Sequence, residues 1–154
     1  MAVMTKEEFA QHVKSNTLPM YRLAYSILQN SADAEDAVSE AIVHAYEKLD
    51  TLKKADSFRN WILQIAANEA KKIYRQNKRT SPVAWEENLS PEFYDEHHEL
   101  WDAVMHLDGG YRDVIVLFYY ERCTIPEISR ILKCRQGTVK SRLHRAKEQL
   151  RAML

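Results

Sequence analysis

Residues 137–150, GTVKSRLHRAKEQL, gather cations and small polar groups at a spacing that lets them act together. At ~100° per residue, Val139, Leu143, Ala146 and Leu150 fall on one narrow stripe of a helix, which calls for burial. Ser141, His144, Arg145 and Glu148 then point outward, flanked by Lys140 and Arg142. Such a row fits the major groove of DNA, some side chains meeting base edges and others phosphates. Gly137 and Thr138 stand at the helix start, where free N–H groups favour a phosphate. An ordinary amphipathic helix with a charged outer face gives the same pattern, so the tract alone leaves both readings open.

A second cationic surface lies earlier. Gln64, Asn68, Lys71 and Arg75 share one side of a helical stretch, with Trp61 at its margin and Lys72, Lys78 and Arg79 at its end. Between 71 and 79 there are five basic residues and no acid. Cations mixed with amides and an aromatic suit a surface that tracks phosphates and holds an unstacked base. Core packing is the alternative for Trp61 and accounts for most of its ring. Glu69 falls on the apolar stripe of this helix, where nothing in the sequence explains it.

The third surface is acidic. In DAEDAVSEAIVHAYEKL, Val38, Ala41, Ile42, Ala45 and Leu49 form the apolar stripe. Asp36, Glu40 and Glu47 lie opposite, with Asp33 nearby and Val43 among them. That face suits docking to a basic protein surface, and a solvated face with one stray valine fits the pattern as well.

Catalytic chemistry has no such footing. The chain holds no Gly-rich phosphate loop, no GxSxG and no HExxH. Adjacent His97 and His98, beside Asp95 and Glu99, diverge by ~100° on a helix and read as solvated residues rather than metal ligands. The expectation is a binding protein and not an enzyme, with no cofactor, no metal and no small-molecule substrate. Cys123 and Cys134 are the only cysteines, too far apart in sequence for a CxxC zinc site and most simply free thiols. Lys6, Glu7 and Glu8 occupy the place of a basic, then apolar, leader. The longest apolar run, Val114 to Tyr120, is far below the ~20 residues that cross a bilayer. No membrane insertion and a cytoplasmic location are therefore expected.

The elements that must position these surfaces are helices. Only three glycines and four prolines occur in 154 residues, so turn signals for a sheet are scarce. A first helix is predicted over Lys6 to Leu28, with a candidate break at Pro19 and a stop at Asn30-Ser31. A second opens after Ser31 or Asp33 and runs to about Leu49. A third starts near Ser57 and carries Phe58, Ile62, Ile65, Ala66 and Ile73 on one face. Residues 80–95, TSPVAWEENLSPEFYD, break the pattern with Pro82 and Pro91. Helix resumes near Glu96, turns at Asp108-Gly109-Gly110, and closes with two helices from about Ile125. Pro126 suits the first turn of the former, and Cys134-Arg135-Gln136 makes a connection of helix-turn-helix length. Charge follows the same division: residues 1–80 hold 12 basic and 10 acidic side chains, 81–110 none and eight, and 111–154 ten and four. The predicted fold is all-α, with two small helical domains, 1–80 and 96–154, joined by a short acidic linker at 81–95; the C-terminal domain carries the helix-turn-helix. A stand-alone helix-turn-helix regulator would explain the last third but leave the acidic helix and the 71–79 tract idle.

The run YRDVIVLFYYERCTIPEISRILKCRQGTVKSRLHRAKEQLRAML resembles the promoter-reading domain of the sigma-70 superfamily, extracytoplasmic-function class. YRLAYSILQNSADAEDAVSEAIVHAYEKL followed by FRNWILQIAANEAKKIYRQNKR is similar to that family's other domain. The resemblance implies an RNA polymerase sigma factor that binds core RNA polymerase and promoter DNA, with an anti-sigma factor as a further partner. Gly137, Thr138, Lys140, Ser141, Arg142, His144 and Arg145 would face the −35 element. Trp61, Asn68, Lys71, Arg75, Asn77 and Lys78 would face the opened −10 element. Asp33, Asp36, Glu40 and Val43 would face the polymerase. Three positions depart from the family pattern. Lys133 stands where a turn glycine is usual, a place that often needs positive φ and costs a non-glycine residue on the order of 1 kcal/mol. Asp108-Gly109-Gly110 replaces a proline-led turn, and Lys72 stands where many relatives have Asp. The implied roles require Lys140, Ser141 and Arg145 to lie on the outside of their domain.

Overall fold

A computed structural model describes residues 3–80 and 98–154. Its elements run α1 Lys6–Leu28, α2 Ser31–Glu47, short 3-10 turns at Leu49–Thr51 and Ala55–Ser57, and α3 Phe58–Thr80. After the acidic segment come α4 His98–Met105, α5 Gly109–Ile115, a π-helical turn Val116–Tyr120, α6 Ile125–Leu132 and α7 Gln136–Met153. No strand occurs among the described residues, and the fold is all-α with two helical lobes. The predicted linker at 81–95 and the helix start near Glu96 lie outside the described residues, as does His97.

Helix α1 starts on a capping box. Thr5 Oγ1 accepts from the Glu8 N–H at 3.1 Å, and the Glu8 carboxylate accepts from the Thr5 N–H at 3.1 Å. The helix is continuous through Pro19, so the expected break does not occur. Hydroxyls of Ser15 and Thr17 donate to carbonyls four residues back in the turn before Pro19, which keeps polar partners along this stretch. Gln29 ends α1 in a left-handed conformation at φ 53°. Asn30 then caps α2 through the Asp33 N–H at 2.9 Å, which fixes the start at Ser31.

In the N-terminal lobe α1, α2 and α3 pack on one another. Small residues of α2, Ala34, Ala37, Ala41 and Ala45, are fully buried and let its backbone approach the other two. The unexplained Glu69 has a partner from α2: its carboxylate pairs with Nδ1 of His44, so the acid on the apolar stripe ties α2 to α3. In the C-terminal lobe α5, α6 and α7 pack together, with Val139, Leu143, Ala146 and Leu150 all buried as the stripe predicts. Helix α6 begins on a second capping box, Thr124 with Glu127, and has Pro in its first turn. It ends at Lys133, which adopts φ 55° and ψ 50°, the left-handed conformation anticipated for that position.

The lobes share one continuous core. Trp101 of α4, 2% exposed, packs with Tyr25 of α1 and with Tyr120 at the end of the π-turn, ring centroids 6.4 and 5.2 Å apart. Helix α6 also lies against α3, and α5 against α1.

Candidate nucleic-acid interface

Helix α7 presents what its sequence promised. With its apolar stripe anchored on α5 and α6, Lys140, Ser141, His144, Arg145 and Glu148 are exposed. Position on the helix makes the row cationic and open at once. His144 Nε2 stands 2.9 Å from the Glu148 carboxylate one turn on, so the acid orients the imidazole along the surface. Ser141 Oγ donates to the Thr138 carbonyl at 3.2 Å. Gly137 is exposed and Thr138 half-buried in the first turn of α7, whose cap residue Arg135 supplies no side-chain bond to the helix N–H groups. Those groups remain at the end of the cationic row. Arg142 differs from its neighbours: it is half-buried, and its guanidinium lies close to Gly110 and near Asp113.

Helix α3 presents its surface less openly. Arg75 and Lys78 are exposed, with the Lys78 ammonium 5.8 Å from the Tyr74 ring centroid. Trp61, Asn68 and Lys71 are half-buried. The Trp61 ring leans on Phe58, centroids 5.7 Å apart, which is the core role anticipated for most of it. Lys71 Nζ donates to the Leu132 carbonyl at the end of α6 at 2.8 Å. Burial there pushes the Lys71 ammonium below its usual pKa, opposed by the nearby Asp113 carboxylate. Asn77 Nδ2 donates to Asp33 Oδ2 at 2.8 Å, joining a residue of the cationic surface to one of the acidic surface.

Helix α2 holds Asp36, Glu40, Val43 and Glu47 exposed and Asp33 half-buried. Val43 is 51% exposed and neighbouring Tyr46 47%, so the acidic face carries two apolar side chains rather than one. The Tyr46 ring also meets Phe9, 5.5 Å between centroids, so it is shared between the core and the surface.

Residues 12–80 match the model for Sigma-70 region 2, and residues 97–150 the model for Sigma-70, region 4. The ECF RNA polymerase sigma factor SigW of Bacillus subtilis is 31% identical across 97% of this chain and 90% of its own length. The ECF RNA polymerase sigma-E factor of Escherichia coli is 31% identical across 77% of this chain and 72% of its own. The chain belongs to the extracytoplasmic-function class of sigma-70 factors. Among solved structures, the sigma factor RpoE, in complex with the anti-sigma factor NepR from Bartonella quintana, shares the fold: TM-score 0.80, 21% identity, 95% of this chain and 96% of that one. CnrH, in complex with the cytosolic domain of CnrY, gives TM-score 0.71 at 26% identity, over 97% and 88%.

As a sigma factor, the protein binds core RNA polymerase and promoter DNA and directs promoter-specific initiation. Its helices are short or charged: among the described residues none is long and apolar enough to cross a membrane. Groups that sequence reasoning missed sit between the lobes. Arg22, Arg59 and Asn60 of the N-terminal lobe meet Glu121 and Glu127 of the C-terminal one. The Thr-x-x-Glu spacing of Thr124 and Glu127 was a visible signal for the α6 cap. Nothing in the local sequence marks Glu121, whose partners lie 99 and 62 residues away.

Proposed function

We propose that the sigma factor divides its work among the three surfaces. Lys140, Ser141, His144 and Arg145 of α7, with Arg142 at the edge and Gly137 and Thr138 at the helix start, read the −35 duplex. Trp61, Asn68, Lys71, Arg75, Asn77 and Lys78 of α3 hold the opened −10 strand. Asp33, Asp36, Glu40 and Val43 of α2 dock on the polymerase. The corresponding units are residues 1–80 and 96–154, with 81–95 between them. The observation that carries this reading is the exposed cationic row of α7 above a fully buried apolar stripe. A helix so anchored can enter a groove without rearranging its own lobe.

The mechanism is binding work without a catalytic step. Duplex recognition positions the protein, and the energy of a few kcal/mol needed to unpair a base is offset by cations and a stacking partner on α3. The protein works in the cytoplasm, where the polymerase and its template are. An anti-sigma factor is a further partner, as RpoE of Bartonella quintana has in NepR.

Run-off transcription with purified core polymerase on a genomic promoter library tests the assignment. The expected result is defined start sites that depend on the protein and are weakened by Arg145→Ala. Absence of core binding and of initiation at every promoter would overturn it.

A further inference from the structure

The turn between α6 and α7 holds a group of cations that the α7 row does not include. Arg130, Lys133 and Arg135 are all exposed, and with Gln64, Ser129 and Cys134 they line an open cavity of about 510 Å³. No acid lines it. Glu127, the acid nearest in sequence, has its carboxylate turned to the Thr124 N–H at 2.8 Å and to the Asn60 amide. Among the described residues no carboxylate stands within ion-pairing distance of Arg130, Lys133 or Arg135. Like charges gathered around one opening repel one another, and a bound anion relieves that repulsion.

The turn holds these cations in place. The Cys134 N–H donates to the Ser129 carbonyl at 3.1 Å, and the Ser129 hydroxyl donates to the Cys134 carbonyl at 2.5 Å. Inside that loop Lys133 adopts φ 55° and ψ 50°, a backbone that its Cβ disfavours. Strain of this kind persists only where the surrounding structure imposes it, and it gathers at binding sites. A lysine at such a position points to work for its ammonium group. Arg135 follows as the N-cap of α7, and its side chain makes no capping bond to the helix. Its guanidinium is therefore not committed to the fold there.

Position decides which anion these groups meet. In a helix-turn-helix the second helix enters the major groove while the first crosses the backbone. With α7 in the groove, the end of α6 and the turn after it lie over phosphates at the groove edge. We propose that Arg130, Lys133 and Arg135 form a clamp on the DNA backbone beside the −35 element. This rests on the reading of α7 as the helix that enters the duplex. Backbone contacts add affinity and set register without reading bases. Lys133 thus strains the fold and strengthens the grip.

The test uses the full chain and fluorescence anisotropy with two duplexes of equal length. One carries the −35 segment of a promoter mapped by run-off transcription with the parent protein, and the other is of mixed sequence. The clamp variants are Arg130→Gln, Lys133→Gly and Arg135→Gln. Lys6→Gln removes the same charge from the start of α1 and serves as the control. Each clamp variant should bind both duplexes about fivefold more weakly at about 0.1 M salt, and should lower the slope of log affinity against log salt by about 1. Lys133→Gly should do this while melting no lower than the parent, which separates lost contact from lost folding. If that melt falls, Arg130→Gln and Arg135→Gln decide. Clamp variants that keep the parent's salt slope overturn the clamp, and so does an equal change of slope in Lys6→Gln. Arg145→Ala tells the two ideas apart: it should weaken the mapped duplex more than the mixed one. Equal binding of both duplexes by the parent and by Arg145→Ala removes the α7 reading instead.

Discussion

Two helices of this sigma factor carry similar cationic side chains, and the molecule treats them differently. On α7 the cations stand exposed because the stripe beneath them faces α5 and α6 of the same lobe. On α3 the apolar stripe faces α1 and α2, yet α6 from the other lobe also packs against it, at Lys71. Lys71 shows the cost: burial depresses its pKa, while Lys140 and Arg145 remain on the surface. A helix that packs on one side keeps its outer face for a ligand.

The largest expected effect breaks the comparison at its open end. Arg145→Ala should weaken −35 duplex binding by about 1–3 kcal/mol, some five- to 150-fold, and leave core polymerase affinity unchanged in a pull-down titration. Equal loss of both would remove Arg145 from the reading face.

The next concerns the seam. Asp113 of α5 is buried among Lys71, Arg142 and Arg112, and burial raises its carboxyl to about 6 against those cations. A folded-state value above the unfolded one means that folding favours the protonated acid. Stability contributed in this way is full in acid and declines as the pH rises from about 4 through 6, by on the order of 3 kcal/mol. Asp113→Asn removes the ionisation. Urea unfolding of the variant should therefore lose that part of the decline, and an unchanged slope would show the acid to be better solvated than its position implies.

On the acidic surface, Asp36→Arg should lower core affinity by about 1 kcal/mol, several-fold, without moving duplex binding. Unchanged core affinity would take Asp36 out of the contact. The smallest effect sharpens the turn that carries α7. Lys133 holds a left-handed backbone at φ 55°, which disfavours any side chain with a Cβ. Lys133→Gly should stabilise the protein by about 0.5 kcal/mol, the relief of strain exceeding the added freedom of the unfolded chain. A thermal melt that moves downward would show that the lysine side chain contributes more than the backbone loses.

The acidic face of α2 and the outward row of α7 were legible because each depends on a repeat of three and four residues within one helix. The left-handed turn at Lys133 was legible only through the resemblance, because the lysine stands where the family's turn glycine is usual. Pro19 misled for a related reason: a proline signals a lost N–H bond, but whether the helix bends depends on what surrounds it. Glu69 could not be explained from its own helix, since His44 lies on α2. Arg142 lies one step from residues that face outward, and its partial burial follows from Gly110 and Asp113 on α5.

The sequence by itself determined the helices, their apolar stripes and the separation of acidic from basic surfaces, because these follow from short-range spacing and side-chain chemistry. Only the tertiary structure decided which cationic surface is open. That depends on α6 packing against α3, with Lys71 meeting the Leu132 carbonyl across 61 positions of chain, a contact that no local pattern encodes.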